Sequence, residues 1–399
     1  MANCEQLAND LPPDTEPELV YTVVDLSLTD SSGRKSSESL KSESVTTQPS
    51  EIDFPVTVFH RDASHRVIVA GPNGDSVVYK VCVSTLACVS PVWKKNMDAK
   101  ENNTLELVDD AEAIRTIFHI AHHNYCEVPV EPTLNQLFEI AKTACRYQCT
   151  HLFYPWAAIW VSRLFAFVGE DDCFDECHKS LYVAWTFGEL VLFRDMLDAL
   201  VVSSKTNEDG SIVNIRGDHL KDMHMPPGAV DIITKARAST IEKILDGVRK
   251  PLYTIANRDG NENNSYCKVG KDGRACELIM LGSAIAELTK AGLFPVPEAG
   301  SYKGSISDLK ESLLKVKAVP YCGRDWMPHL SHDHCTLGLD LVVRSCLENM
   351  EVPIEHYMMS WMFKQSQKCG IKADDELKAW KENQDRTSGP DEEQCGSEE

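Results

Sequence analysis

The strongest constraint on the fold is a change in the spacing of apolar residues within the first half of the chain. His65–Ala70 and Ser76–Val81 are short runs rich in β-branched residues, separated by glycine, proline, asparagine and aspartate, which predicts a β-hairpin. Thr104–Val108 alternates apolar and polar residues and predicts a third strand. After it, apolar residues recur at helical spacing over 114–121 and again over 134–145. Strands followed by a run of helices predict an α+β fold, with helices packed on a small sheet.

The rest of the chain is predicted to be mostly helical. Helical spacing of apolar residues continues in six further segments: 153–164, 174–202, 229–257, 276–291, 306–317 and 335–350. The polar segment 203–228 carries Gly210, Gly217 and the pair Pro226-Pro227, and is predicted to be a linker. No repeat of roughly 30–50 residues occurs, which argues against a solenoid or a propeller.

Two acidic tails account for most of the net charge of −21. Residues 1–54 contain 11 acidic and 3 basic side chains, a net charge of −8, and residues 373–399 contain 10 and 3, a net charge of −7. Half of segment 27–50 is serine and threonine, and such a composition buries too little apolar surface to offset the entropy of ordering. We therefore predict disordered acidic tails over 1–53 and 373–399. Because the mildly acidic centre lacks a basic stripe for phosphate groups, no nucleic-acid binding is expected.

Hydropathy and cysteine usage predict an intracellular protein. No stretch approaches the ~18 unbroken apolar residues of a membrane span. Residues 1–13 lack the basic stretch and apolar core of a secretory signal. The 15 cysteines are scattered through a long chain, so free thiols in a reducing compartment are expected. The expected location is the cytoplasm or the nucleus, without membrane contact.

The segment Tyr79–Met97, with the sequence YKVCVSTLACVSPVWKKNM, resembles the signature of BTB/POZ domains, particularly fungal ones. In that family an apolar strand leads into a helix with a leucine, then a Ser-Pro-Val-aromatic step, then a second short helix. Leu86 and the step Ser90–Trp93 occupy these places here. Ser90 is a suitable N-cap, with Pro91 at the first helical position. The strand and helices predicted further on continue the resemblance as far as residue 166.

The resemblance implies a BTB/POZ domain over 54–168, a helical region over 169–260 and a second helical region over 261–372. It implies a non-enzymatic protein-protein interaction module, a scaffold or adaptor that binds protein partners and for which self-association as a homodimer is one expectation. The alternative is a substrate adaptor of a cullin-type ubiquitin ligase. Two departures from the family pattern weigh against inherited dimerisation and cullin recruitment. Cys82-Val83 stands where many members have a His-Lys pair, and His65-Arg66 replaces the usual acid before the first strand.

One group of cysteines and histidines in the second half has the character of a metal site. Cys267 and Cys276 flank a polar loop, and His332 and Cys335 are separated by two residues. Zinc takes four thiolate or imidazole ligands in a tetrahedron, often as two close pairs. These four residues are therefore predicted to bind a structural zinc ion. The competing interpretation is that they are reduced cysteines and surface histidines in loops, since the first pair is more widely spaced than in ordinary zinc modules.

The remaining cysteines and histidines are weaker candidates. Cys322 and His334 are the substitutes for a predicted ligand that does not take part. Two helical groups are expected to be ordinary core or surface residues: Cys173, Cys177 and His178, and His119, His122 and His123. A metalloenzyme would need an open metal position, and the sequence contains no serine-hydrolase elbow, phosphate-binding loop or HExxH motif, so no enzymatic activity is expected.

Overall fold

The computed structural model describes residues 55–70, 76–98, 103–164, 176–258, 265–269, 273–321 and 331–387. The first of these ranges contain a small β-sheet. The tail predicted over 1–53 lies outside them. Within these ranges four strands form the sheet: β1 (Val56–Val58), β2 (His65–Ala70), β3 (Ser76–Val81) and β4 (Thr104–Leu107). The order is β1-β3-β2-β4: β2 and β3 form the predicted antiparallel hairpin, whereas β1 runs parallel to β3 and β4 parallel to β2. The α+β class is confirmed, and β1 is a strand that the sequence did not predict.

The hairpin buries one face of the sheet. Side chains on β2 alternate, so that Val67 and Val69 are fully buried whereas Arg66 is exposed. Val67 pairs with Tyr79 of β3 across the ladder. The Tyr79 hydroxyl donates to the carbonyl oxygen of Ala111 at 2.8 Å. This hydrogen bond ties the sheet to the helix that begins at Ala111.

In the part of the chain that the structure describes, five α-helices accompany the sheet: α1 (Val83–Val89), α2 (Pro91–Asp98), α3 (Ala111–Ala121), α4 (Leu134–Arg146) and α5 (Ala157–Leu164). Ser90 caps α2 as predicted, because its Oγ accepts from the backbone N–H of Trp93 at 3.0 Å. The same hydroxyl donates to the carbonyl oxygen of Tyr147 at 2.6 Å. Trp93 is fully buried and stacks on Tyr147, with ring centroids 4.8 Å apart. The Ser-Pro-Val-Trp step thus joins the start of α2 to the end of α4.

Eight further α-helices follow in the described part of the chain: α6 (Cys177–Phe187), α7 (Leu190–Ser203), α8 (Ala229–Ala256), α9 (Gly273–Lys290), α10 (Ile306–Leu314), α11 (Leu339–Glu348), α12 (His356–Cys369) and α13 (Asp375–Thr387). The segment predicted to be helical over 174–202 is divided at Gly188, whose φ of +82° ends α6. Helix α12 lies so close that a Cβ on Gly188 would be 2.2 Å from the backbone nitrogen of Ser366. Both the backbone conformation and the close approach require glycine at this position.

The linker predicted over 203–228 contains a short hairpin. Its strands, β5 (Lys205–Thr206) and β6 (Ile212–Val213), pair antiparallel. The Ser211 backbone N–H donates to Asn207 Oδ1 at 2.8 Å inside the turn. Side-chain hydrogen bonds of this kind stabilise turns in polar sequence, and they explain ordered structure where apolar periodicity is absent.

The prediction of a disordered tail over 373–399 is wrong for its first half, because Asp375–Thr387 forms α13. Asp374 caps this helix by accepting from the backbone N–H of Leu377 at 2.7 Å, and Leu377 is fully buried. Trp380, one helical turn further on, packs on α12. Two apolar side chains on one face anchor a helix whose other residues are mostly polar. Residues 388–399 lie outside the described part of the chain.

One hydrophobic core joins the sheet and its helices to the helices that follow. Helix α6 packs on α4, α7 and α12. Thr150, between α4 and α5, donates to the side-chain oxygen of Gln365 on α12 at 2.9 Å, and its carbonyl oxygen accepts from the Cys369 thiol at 3.5 Å. Packing contacts therefore cross the boundary predicted after residue 168.

Candidate metal centre and surface groove

Three separate segments bring the four predicted metal ligands together. Cys267 lies in the loop between α8 and α9, and Cys276 lies in the first turn of α9. His332 and Cys335 lie in a turn before α11, where the Cys335 backbone N–H donates to the His332 carbonyl oxygen at 2.8 Å. The two pairs are distant in sequence and meet in the fold.

The four candidate ligand atoms lie within 4.8 Å of one another. The Sγ atoms of Cys267 and Cys335 are 3.8 Å apart, and His332 Nδ1 lies 3.2 Å from Cys267 Sγ and 3.9 Å from Cys335 Sγ. A tetrahedral zinc ion with bonds of about 2.3 Å to sulfur and about 2.0 Å to nitrogen separates sulfur from sulfur by about 3.8 Å and sulfur from nitrogen by about 3.5 Å. The separations among Cys267, His332 and Cys335 are close to these values, and the Sγ of Cys276 lies within 4.8 Å of the other three ligand atoms.

All four side chains are buried, with exposed fractions from 0% for Cys276 to 5% for Cys267. Burial raises the pKa of the Cys276 thiol to about 12 and also raises the pKa of the Cys335 thiol. Thiolates this close together, and out of water, need a cation to hold them in the charged form. Three sulfurs and one imidazole nitrogen are a donor set that zinc prefers. The buried cluster can hold a metal ion.

Neighbouring groups orient the ligands. The Lys268 backbone N–H donates to Cys335 Sγ at 3.3 Å, and a donor at that distance favours a thiolate over a thiol. The Tyr321 ring packs edge-on against the His332 imidazole, with ring centroids 5.5 Å apart. The orientation of both ligands in the turn before α11 is therefore fixed by groups outside that turn.

Several other candidates do not join the cluster. His334, one of the two predicted substitutes, is exposed, unlike the two ligands of the same turn. Cys322 and Cys173 lie outside the described residues. Cys177 is buried at the start of α6 as part of the hydrophobic core. Within the described ranges, no second group of three or more metal-ligating side chains occurs.

Two histidines at the end of α3, His122 and His123, make local hydrogen bonds. His122 Nε2 accepts from the Cys82 backbone N–H at 3.1 Å, and His122 Nδ1 lies 2.8 Å from the Phe118 carbonyl oxygen. Both contacts are satisfied by a neutral imidazole with its proton on Nδ1, and burial lowers the pKa of His122. His123 Nδ1 lies 2.7 Å from the Tyr125 hydroxyl oxygen and shares a hydrogen bond with it.

A surface groove of about 410 Å³ lies beside α1. Its lining combines α1, the end of α3 and the segment between α4 and α5, and includes Cys88, Val89, Leu152, Tyr125 and Trp156. The rings of Tyr125 and Trp156 are 5.6 Å apart, and Tyr125 is 52% exposed. The groove therefore presents aliphatic and aromatic side chains to solvent.

The sequence did not predict this groove. The sequence carries an aromatic stripe of Phe153, Trp156, Trp160 and Phe167, which is more typical of core than of an interface. Phe153 and Trp160 are buried. Trp156 is only half-buried and lines the groove, whereas Phe167 lies outside the described residues. The signal was weak because the lining comes from segments that are far apart in the sequence.

A scan of the sequence against protein-family models found no match, and neither did searches of curated proteins and of solved structures. The BTB/POZ resemblance therefore depends on the residues quoted for it, and membership of that family stays a prediction.

No helix in the described ranges is both long enough and apolar enough to cross a membrane.

Proposed function

We propose that the chain is a non-enzymatic protein-protein interaction module, an intracellular scaffold or adaptor with a BTB/POZ-like first half. The groove beside α1 carries the proposal. Apolar side chains held open to water on a packed helical framework are typical of surfaces that bind other proteins. A groove of about 410 Å³ accommodates one or two apolar side chains of a partner, as an anchor does at an interface.

The aromatic side chains of the groove are suited to this role. Tyrosine and tryptophan are enriched among the residues that contribute most to binding energy. The Tyr125 hydroxyl is hydrogen-bonded to His123, and its ring packs edge-on against the same imidazole, with centroids 5.7 Å apart. A ring already held in place loses little side-chain entropy when a partner covers it, so more of the buried area contributes to affinity.

Two substitutions that add the same charge test the groove. Cys88→Arg puts a guanidinium into the lining at an exposed position. Ile159→Arg puts the same group on α5, at a side chain that is 54% exposed and is not part of the lining. In quantitative affinity purification, we expect Cys88→Arg to lose partners that the wild type and Ile159→Arg retain.

The same variants identify self-association. If the partner is a second copy, light scattering gives a dimer mass for the wild type and for Ile159→Arg, and a monomer mass for Cys88→Arg. The proposal is contradicted if the wild type is monomeric and recovers nothing above a tag-only background. Identical partners and identical masses for all three proteins also contradict it.

We further propose that Cys267, Cys276, His332 and Cys335 bind one structural zinc ion. Four protein ligands close the tetrahedron, and a closed tetrahedron leaves no position for water or substrate, which is the pattern of structural sites. The ion would join the 265–269 loop and the turn before α11 to the start of α9. It would supply folding free energy rather than chemistry.

Metal analysis of the purified full chain tests the zinc site. We expect one zinc per chain, and a melting temperature that falls when a strong chelator removes it. Cys335→Ser removes a ligand and should lower the zinc content, whereas Cys126→Ser changes an exposed cysteine outside the cluster and should not. A zinc-free wild type whose melting does not respond to the chelator contradicts the proposal.

A further inference from the structure

A buried carboxylate stands directly beside the metal cluster. Glu277 follows Cys276 on α9, and 0% of its surface is exposed. An unpaired carboxylate in such a place is strongly unfavourable. The hydrogen-bond donors and positive charges that contact the Glu277 carboxylate therefore show which segments of the chain it joins.

One oxygen of Glu277 binds the loop that carries a metal ligand. Oε1 accepts from the Ser265 hydroxyl at 2.9 Å and from the Tyr266 backbone N–H at 2.9 Å. Ser265 Oγ in turn accepts from the Cys267 backbone N–H at 3.2 Å. A continuous chain of hydrogen bonds thus runs from the ligand Cys267 to the carboxylate that follows the ligand Cys276.

Two arginines balance the buried charge. Arg258 Nη1 donates to Glu277 Oε1 at 2.5 Å. Arg274 Nη1 lies 3.8 Å from Glu277 Oε2 and donates to the Ile255 carbonyl oxygen at 2.7 Å. The end of α8, the loop and α9 are joined at this one carboxylate.

We propose that Glu277 is a positioning residue for the zinc centre: it holds the Cys267 loop against α9, so that Cys267 and Cys276 meet the metal in a preset arrangement. This inference rests on the proposed zinc site. A loop that is fixed before the metal arrives adds no ordering cost to metal binding. When hydrogen bonds that orient a metal ligand from outside the ligand set are removed, metal affinity changes by roughly 10–100-fold.

Zinc affinity of the full chain, measured by competition with a chromophoric chelator, tests the inference. Ser265→Ala, at an exposed position, removes the hydroxyl that links Glu277 to the Cys267 backbone N–H and leaves the hydrogen bond from the Tyr266 N–H to Glu277 in place. We expect zinc affinity to fall roughly 10-fold in Ser265→Ala and up to roughly 100-fold in Glu277→Ala, with faster zinc release in both. Glu287→Ala is the control, because that glutamate lies on the same helix and pairs with the exposed Lys290. It should bind zinc as the wild type does.

Cobalt(II) spectra separate positioning from loss of a ligand. At saturation, Ser265→Ala and Glu277→Ala should show the tetrahedral thiolate bands of the wild type, because all four ligands remain. Glu277→Gln keeps an acceptor oxygen for Ser265 and Tyr266 and should recover part of the affinity. Altered bands at saturation overturn the positioning role.

Two further results would be decisive in different ways. Wild-type zinc affinity in both Ser265→Ala and Glu277→Ala overturns the inference and leaves the zinc site standing. A wild-type chain that binds neither zinc nor cobalt overturns the zinc site and the inference together. If Glu277→Ala does not fold, the affinity of Ser265→Ala decides in either direction.

Discussion

Alanine at Gly188 should cost far more stability than alanine at Gly210. Both glycines have a left-handed φ, +82° and +80°, so alanine adds roughly 1–2 kcal/mol of backbone strain at either position. Their surroundings differ. A Cβ at 188 would lie 2.2 Å from the Ser366 nitrogen and 2.6 Å from the Met362 carbonyl oxygen, whereas nothing lies within 4 Å of a Cβ at 210. Because both contacts are with the backbone of α12, overpacking adds roughly 1–3 kcal/mol at 188 alone.

The free energy of unfolding should therefore fall by about 2–5 kcal/mol in Gly188→Ala and by about 1–2 kcal/mol in Gly210→Ala. Chemical denaturation followed by circular dichroism measures both losses, and calorimetry checks whether each variant melts in one transition. Gly210→Ala is the matched control, since it carries the same strain without the contacts. Equal losses would refute the reasoning, because the difference depends on α12 lying against Gly188.

Two further predictions concern a helix cap and a buried histidine. Ser90→Ala should lower the free energy of unfolding by about 2 kcal/mol, because it removes the cap of α2 and the donor to the Tyr147 carbonyl oxygen; chemical denaturation that shows no loss would contradict this. Burial, and then the charges of Lys142 and Arg146, lower the pKa of His224 to about 4 from its ordinary 6.5. Between these values the unfolded chain binds a proton that the folded chain does not, so stability should fall as the pH is lowered through that window. Thermal melts across this range should show a shallower pH dependence in His224→Phe, and an unchanged dependence would count against the assignment.

The long helices could be predicted because their signal is local. The apolar spacing over 229–257 predicts α8, which the structure places at Ala229–Ala256. The break at Gly188 and the helix α13 could not be predicted in this way. Both depend on packing against α12, and α13 itself is mostly polar apart from Leu377 and Trp380.

The metal ligands could be predicted from residue type, because thiolates and imidazoles are the groups that zinc prefers. The distances between them could not, since Cys267 and Cys335 are 68 positions apart and come together only through the tertiary fold. The burial of Glu277 could not be predicted, because glutamate on a helix is normally exposed. Its burial is compensated by Arg258 and Ser265, which reach it from the loop after α8.

X-ray absorption at the zinc edge of the purified full chain is the most direct test of the metal centre. Binding by Cys267, Cys276, His332 and Cys335 predicts three sulfur neighbours at about 2.3 Å and one nitrogen neighbour at about 2.0–2.1 Å. A zinc ion surrounded by oxygen or nitrogen atoms alone, or a purified chain that carries no zinc, would contradict it.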